Sequence, residues 1–218
     1  MTSLEELARR AADLEGRTVA ELAGIASREA PRGGAHTKGR VGEILEIVLG
    51  ATGGSGERRV DFPSIGVELK TIPLGATGRP LESTFVCSMR VDEDVDFDRS
   101  WVRRKLDRVL FVPVIGDRRS PLSLRKIGKP SVWTPTPPQL EQLKADYDDI
   151  VGLLGIGRVE DVTAHLGRYL QLRPKARDGT PRALAFGEDG ERIRTVPRGF
   201  YLRARFTEAI LRDASALP

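Results

Sequence analysis

The chain has 218 residues, 39% of them hydrophobic and 30% charged, enough to bury one substantial core or two lobes that share one. No apolar run approaches the roughly 20 residues of a membrane-spanning helix, and Met1 to Glu6 lack the basic start and apolar stretch of a secretory signal. The net charge of +4 is concentrated in residues 161–218, which hold 11 Lys/Arg against 7 Asp/Glu, an imbalance that suits a polyanionic partner such as nucleic acid.

In chain order, Ser3 with Glu6 and Thr18 with Glu21 have capping-box spacing and predict two short opening helices. Leu4, Leu7, Ala8, Ala11 and Leu14 follow at helical intervals. Residues 28–37, rich in Pro, Gly and Arg, read as a loop. A third helix is predicted from Lys38 to Leu49, with Val41, Ile44, Leu45 and Val48 on one face and Gly50 at its end. Ile65 to Ile72 and Thr84 to Met89 predict neighbouring strands joined through a Gly/Pro turn. A short helix at Trp101 to Leu106 leads into the apolar strand Val109 to Val112, which Pro113 closes. Thr136-Pro137-Pro138 predicts a helix start, followed by the stripe Leu140, Leu143, Tyr147, Ile150, Val151 and Leu154. Strands at Tyr169 to Arg173 and Arg192 to Val196 precede a last helix from Thr207. The fold class is α/β, one unit divisible into two lobes around a cleft. The lone Cys87 excludes an internal disulfide and, with the missing signal, gives the expectation of a cytoplasmic protein without a membrane partner.

The segment Asp61-Phe62-Pro63-Ser64-Ile65-Gly66-Val67-Glu68-Leu69-Lys70 carries the chemistry. Strand alternation sends Val67 and Leu69 to one face and Glu68 and Lys70 to the other. A bend at Pro63 and Gly66 would fold Asp61 back toward Glu68, so that two carboxylates and an ammonium converge. Hard oxygen ligands of this kind hold Mg²⁺, and a lysine beside them offsets charge in phosphodiester hydrolysis. Alone, the pattern fits a surface strand with a weak Glu–Lys pair better than a catalytic site.

The pattern does not stand alone. Lys38-Gly39-Arg40-Val41-Gly42-Glu43-Ile44-Leu45-Glu46, the Asp61 to Lys70 segment and Thr84-Phe85-Val86-Cys87 follow one another in order. Val102-Arg103-Arg104-Lys105-Leu106, Tyr169-Leu170-Gln171-Leu172-Arg173-Pro174-Lys175-Ala176 and Pro197-Arg198-Gly199-Phe200-Tyr201-Leu202 come after them. Over nearly the whole chain these blocks resemble the MutH family of mismatch-repair nicking endonucleases and its restriction-enzyme relatives that cut at GATC. The resemblance implies a restriction-endonuclease-like fold, a mixed central sheet flanked by helices, with a catalytic lobe at 1–100 and a DNA-recognition lobe at 101–218. It implies Mg²⁺, with Mn²⁺ as a substitute, held by Asp61 and Glu68. Asp61, Glu68 and Lys70 match the catalytic triad, Glu46 a further acidic residue, and Lys105 a lysine that approaches the site. Lys38 matches a phosphate-facing position, Arg173 and Lys175 the region that reads GATC, and Tyr201 an aromatic near the adenine. The implied partners are double-stranded DNA and MutL, with the protein a monomer that dimerises at most transiently on DNA.

The residue chemistry agrees with those roles. Gln171, Arg173 and Lys175 alternate onto one strand face, and Arg is the usual bidentate reader of guanine. Other residues are plainer. His36 and His165 lack metal-ligand spacing, and Trp101 and Trp133 read as packing residues. Cys87 reads as a small buried hydrophobe. Gly53-Gly54-Ser55-Gly56 lacks the Lys of a phosphate-binding loop. Two alternatives stand beside the repair nick: a double-strand restriction cut, and a catalytically silent DNA-binding protein, against which the intact Asp61, Glu68 and Lys70 argue.

Overall fold

Thr18 begins the second helix by the reciprocal cap its spacing predicts, and Ser3 begins the first with the side-chain half of that cap. In the computed structural model Ser3 Oγ accepts from the Glu6 amide at 3.1 Å. The Thr18 amide donates to Glu21 Oε2 at 2.6 Å while Thr18 Oγ1 accepts from the Glu21 amide at 3.2 Å, a reciprocal cap that satisfies two helix-end donors. The structure describes residues 3–31, 39–53, 58–89, 96–117, 119–175, 180 and 183–217. Its elements begin with α1 (Leu4–Ala12), α2 (Val19–Ile25), α3 (Arg40–Leu49), β1 (Glu68–Leu74) and β2 (Thr84–Ser88). They continue with α4 (Trp101–Leu106), β3 (Val109–Ile115), β4 (Lys126–Ile127), β5 (Ser131–Trp133) and α5 (Pro137–Gly155). The last are β6 (Leu170–Pro174), β7 (Ala183–Phe186), β8 (Arg192–Thr195), β9 (Arg198–Leu202) and α6 (Ala204–Arg212). The chain forms two compact units, Met1–Glu82 with Asp107–Thr134 and Ser83–Leu106 with Pro135–Pro218. Residues 83–106 thus belong with the C-terminal part of the chain, whereas the sequence suggests a single division near residue 100. Among the described residues no helix is long and apolar enough to cross a membrane.

The first unit is built on a mixed sheet. β1 and β3 run parallel, from Glu68 opposite Val109 to Leu74 opposite Ile115, and β4 and β5 pair antiparallel with β3. The run predicted as a buried strand is longer than expected. It does not stop at Pro113 but continues to Ile115. Pro113 falls between the stretch paired by β5 and the stretch paired by β4, so its missing N–H costs no bond in either antiparallel ladder. Its carbonyl accepts from Gly128 at 2.9 Å. α1, α2 and α3 cover the sheet with Leu7, Leu22 and Leu45, which pack in one cluster with Phe62, Val67, Leu69 and Val112.

Two strand expectations need correction. β1 begins at Glu68 rather than Ile65, because residues 63–66 form a turn. β1 and β2 are also not neighbours, for β2 pairs with β9. After β1 the chain does reverse, with Leu81 donating to the Pro73 carbonyl at 2.9 Å and an isolated bridge between Leu74 and Pro80. Pro80 has no N–H to extend a ladder, and the hairpin ends there.

In the second unit β9 lies between β2 and β6, antiparallel to both. β8 is the strand expected at Arg192 to Val196, and its hairpin partner β7 and β9 are strands the sequence reading did not isolate; α6 starts at Ala204, ahead of the expected Thr207. Tyr147 of α5 stacks on Phe200 of β9 with ring centroids 5.5 Å apart, and Tyr169 stacks on Phe206 at 4.0 Å. The buried stripe of α5 includes two polar residues, Gln139 and Asp146, beside Leu143, Tyr147 and Ile150. Gln139 donates to the carbonyls of Ala214 and Ala216 at 3.0 and 2.8 Å. Asp146, 2% exposed, accepts from the consecutive amides of Arg168, Tyr169 and Leu170 at 2.8, 2.6 and 2.8 Å. These bonds tie the start of β6 to α5, and a buried carboxylate is tolerated only when so satisfied. Asp146→Ala strands up to three buried donors at about 1–3 kcal/mol each. Urea unfolding followed by circular dichroism is expected to show a loss of about 3–5 kcal/mol of stability.

Candidate functional site

Asp61 is brought to β1 by a tight reversal. Phe62 and Val67 form an antiparallel bridge, each donating its amide to the other's carbonyl at 2.9 and 3.2 Å. Gly66 closes the turn at φ 64°, a left-handed conformation that favours glycine. Arg108 Nη1 donates to the Ile65 carbonyl at 3.2 Å and pins the turn from the base of β3. From the other side, the amides of Thr52 and Gly53 both donate to the Asp61 carbonyl, at 3.0 and 2.9 Å. Gly53 is required for this approach, since a Cβ there would stand 2.0 Å from the Val60 carbonyl oxygen.

Side-chain geometry follows from that backbone. Successive amides of a strand point to opposite edges. The Glu68 amide donates to the Arg108 carbonyl at 2.9 Å, toward β3. The Leu69 amide donates to Asp61 Oδ2 at 2.7 Å, so Asp61 occupies the opposite edge of β1. Glu68 and Lys70 share a face, with Lys70 Nζ 2.7 Å from Glu68 Oε1. Asp61 is 8% and Glu68 2% exposed. The sequence reading thus had the alternation and the fold-back right, and the burial of the carboxylates is what the structure adds. Two buried carboxylates at the start of one strand are expensive unless cations compensate them. Among the described residues no three His, Cys, Asp or Glu side chains are gathered into a complete metal cage. A Mg²⁺-type ion does not need one, because it is commonly held by one or two carboxylates with water and substrate phosphate. The donor set of Asp61 and Glu68 fits that habit.

The other first-unit candidates differ in placement. Glu46 is half-buried on α3, a helix that packs against β1. The helix ends in the turn at Gly50 and Ala51 that leads directly into the amides holding Asp61. Lys38, like His36, lies outside the described residues. Lys105 belongs to the second unit, on α4, where its Nζ lies 5.0 Å from the Trp101 ring centroid.

The sheet of the second unit carries a cationic and aromatic face. Phe85, Tyr201 and Gln171 stand in one cross-strand row of β2, β9 and β6. Phe85 meets Tyr201 edge-on at 5.2 Å. The Arg173 guanidinium lies 5.9 Å from the Tyr201 ring, and Lys175 Nζ 4.6 Å from the Phe85 ring. Arg173 Nη1 donates to Ser83 Oγ at 3.3 Å and Lys175 Nζ to Ser88 Oγ at 2.8 Å. Both cations are therefore held by rings and hydroxyls, and among the described residues neither is ion-paired. Their charge stays available to an incoming polyanion. Gln171 sits on the expected face but is 4% exposed, beneath the cations rather than among them. Phe85 is the residue the sequence reading missed. In one dimension it is a strand aromatic, and only the β2–β9 register sets it beside Tyr201 and Lys175. His165 is exposed, Trp133 and Cys87 are buried as expected, and Trp101 is half-buried.

The sequence itself has relatives of known family. Residues 49–146 match the family model described as DNA mismatch repair enzyme MutH. DNA mismatch repair protein MutH of Shigella boydii serotype 18 is 46% identical over 95% of this chain and 91% of its own length. That of Shigella boydii serotype 4 is likewise 46% identical, and that of Escherichia coli strain SE11 45%, over the same shares. At this identity and coverage the chain belongs to the MutH family.

Proposed function

We propose that the protein is a Mg²⁺-dependent DNA endonuclease of mismatch repair, nicking the unmethylated strand at hemimethylated GATC sites on a restriction-endonuclease-like fold. The carrying observation is the Asp61–Leu69 and Glu68–Lys70 geometry at the start of β1, in a chain whose relatives at 44–46% identity are named as mismatch repair proteins. Asp61 and Glu68 would hold the cation. When bound, such an ion activates water and stabilises charge on the phosphoryl oxygens. Lys70, held in place by Glu68, keeps an ammonium beside the reacting phosphate and offsets the charge that grows there. Glu46 is the further acidic residue of the site, and Lys105 and Lys38 its remaining lysines, the last two on the family resemblance alone.

Reading of the site falls to Arg173, Lys175 and Tyr201, with Phe85 added on geometry. Arg173 can present two donors to guanine O6 and N7. A methyl on adenine N6 enlarges the base edge and removes one donor hydrogen, a difference that contact with the Tyr201 ring would register. The repair reading also includes MutL as activator and a monomer that pairs at most transiently on DNA. A restriction enzyme would cut both strands unaided. The names of the relatives favour the nick.

Three outcomes are expected. Purified protein with Mg²⁺ should nick hemimethylated GATC duplex, spare fully methylated duplex and respond to MutL; rapid double-strand cleavage without MutL would refute the repair role. Asp61→Asn and Lys70→Ala should abolish nicking while leaving most DNA binding by gel shift, and a cleaving Lys70→Ala would refute the site. Arg173→Ala should weaken GATC binding by about 1–3 kcal/mol, measured as the ratio of Kd values for GATC and altered duplexes.

A further inference from the structure

The guanidinium of Arg173 is stopped by Ser83, to which the proposed function gives no role. Ser83 immediately precedes β2, and its Oγ accepts two bonds, from Gln171 Nε2 at 2.8 Å and from Arg173 Nη1 at 3.3 Å. A hydroxyl has two lone pairs and one hydrogen. Both acceptor positions of Ser83 are therefore filled, by two side chains from alternate positions of the same strand. Gln171 is 4% exposed and lies in the row with Tyr201, so its amide is fixed by packing. Ser83 is thereby fixed in turn, and Arg173 is drawn across the Tyr201 ring, 5.9 Å from its centroid, to reach it.

An arginine on an exposed strand end has many rotamers, and ordering it on binding costs conformational entropy. A neutral acceptor that holds one N–H and leaves the remaining donors outward reduces that cost without cancelling the charge. A carboxylate at the same point would hold the guanidinium more tightly and compete with the nucleic acid.

We propose that Ser83 is a positioning residue for sequence recognition: the Gln171–Ser83–Arg173 relay sets the Arg173 guanidinium in its reading pose before DNA arrives. The proposal rests on the reading of Arg173 as a base-contacting residue. It predicts an effect on discrimination and none on sequence-independent binding, since phosphate affinity depends on charge and the charge is unchanged.

The test is fluorescence anisotropy in Ca²⁺ with a GATC duplex and a duplex changed at one base pair of the site, with thermal melts of every variant. Ser83→Ala should lower the ratio of the two affinities by about five- to tenfold, the size of one lost polar contact, with binding to the altered duplex and its salt dependence unmoved. Ser83→Thr, which keeps the hydroxyl, should return the ratio to within about twofold of the unaltered protein. In an Arg173→Ala background Ser83→Ala should change nothing further, since the relay has lost its end. Equal weakening on both duplexes, or an undiminished effect of Ser83→Ala without Arg173, would overturn the positioning role. If the unaltered protein failed to distinguish the duplexes, the recognition reading would fall and this inference with it. Discrimination that survives in Ser83→Ala would overturn the inference alone.

Discussion

The hydrogen bond from the Leu69 amide to the Asp61 carboxylate ties the chemistry of the first unit to its fold. An edge amide of a strand must be satisfied by something, and here the acceptor is a side chain rather than another strand. That choice stops the sheet at β1 and puts a carboxylate on its rim. Everything around it serves the same placement. The 63–66 turn returns the chain, Arg108 pins the turn, and the Thr52 and Gly53 amides hold the Asp61 carbonyl. The parallel pairing with β3 fixes Glu68 opposite Val109, and the strand period then sets Lys70 beside it. A site assembled from one turn and one strand start has few degrees of freedom, which suits the cation-holding role proposed for Asp61 and Glu68.

The second unit solves a different problem with a similar economy. Its strand β6 is short and ends in exposed residues, and it is anchored at its beginning. Asp146 collects the three amides that open it. Arg203 donates to the carbonyls of Ala164, Leu166 and Gly167 in the loop just before it. One buried anion takes the donors and one cation takes the acceptors of the same connection. At the far end, Lys175 donates its amide to the Pro197 carbonyl at 2.7 Å, while the buried Arg198 next to it is paired with Glu160 at 3.0 Å. Between these anchors the side chains of Arg173 and Lys175 project from a backbone that is held at both ends.

How much of this was legible in the sequence varies with the range of the interaction. Caps and periodicity are local, and the helices at Leu4, Val19 and Pro137 start where Ser3, Thr18 and Thr136 imply. The fold-back of Asp61 was legible too, because Pro63 and Gly66 lie within the turn that makes it. Strand partnership was not. Thr84 to Ser88 reads as the next strand after β1, but its partner β9 begins at Arg198, and no local pattern carries a pairing over that separation. For the same reason Phe85 and Ser83 were invisible as site residues. The burial of Asp146 was hidden as well, since an aspartate on a helix reads as solvated until the amides of residues 168–170 arrive. Pro113 misled in the opposite direction, being a local break signal that the gap between β4 and β5 accommodates.

The two clusters treat charge in opposite ways, and the difference suits what each is proposed to receive. At β1, buried carboxylates dominate and the ammonium of Lys70 is engaged by Glu68, leaving a locally anionic centre that attracts a cation and would repel bare phosphate. On the β2–β9–β6 face the cations lean on the rings of Tyr201 and Phe85 and on serine hydroxyls. Such contacts orient a cation while leaving its field nearly intact, whereas a carboxylate partner would have to be displaced by the nucleic acid at a desolvation cost. An anionic centre filled by a divalent ion becomes attractive to phosphate, and a cationic face needs no such conversion. On the proposed roles, affinity for DNA would therefore persist without the metal while cleavage would not, and that separation of binding from chemistry follows from which partners each charged side chain has been given.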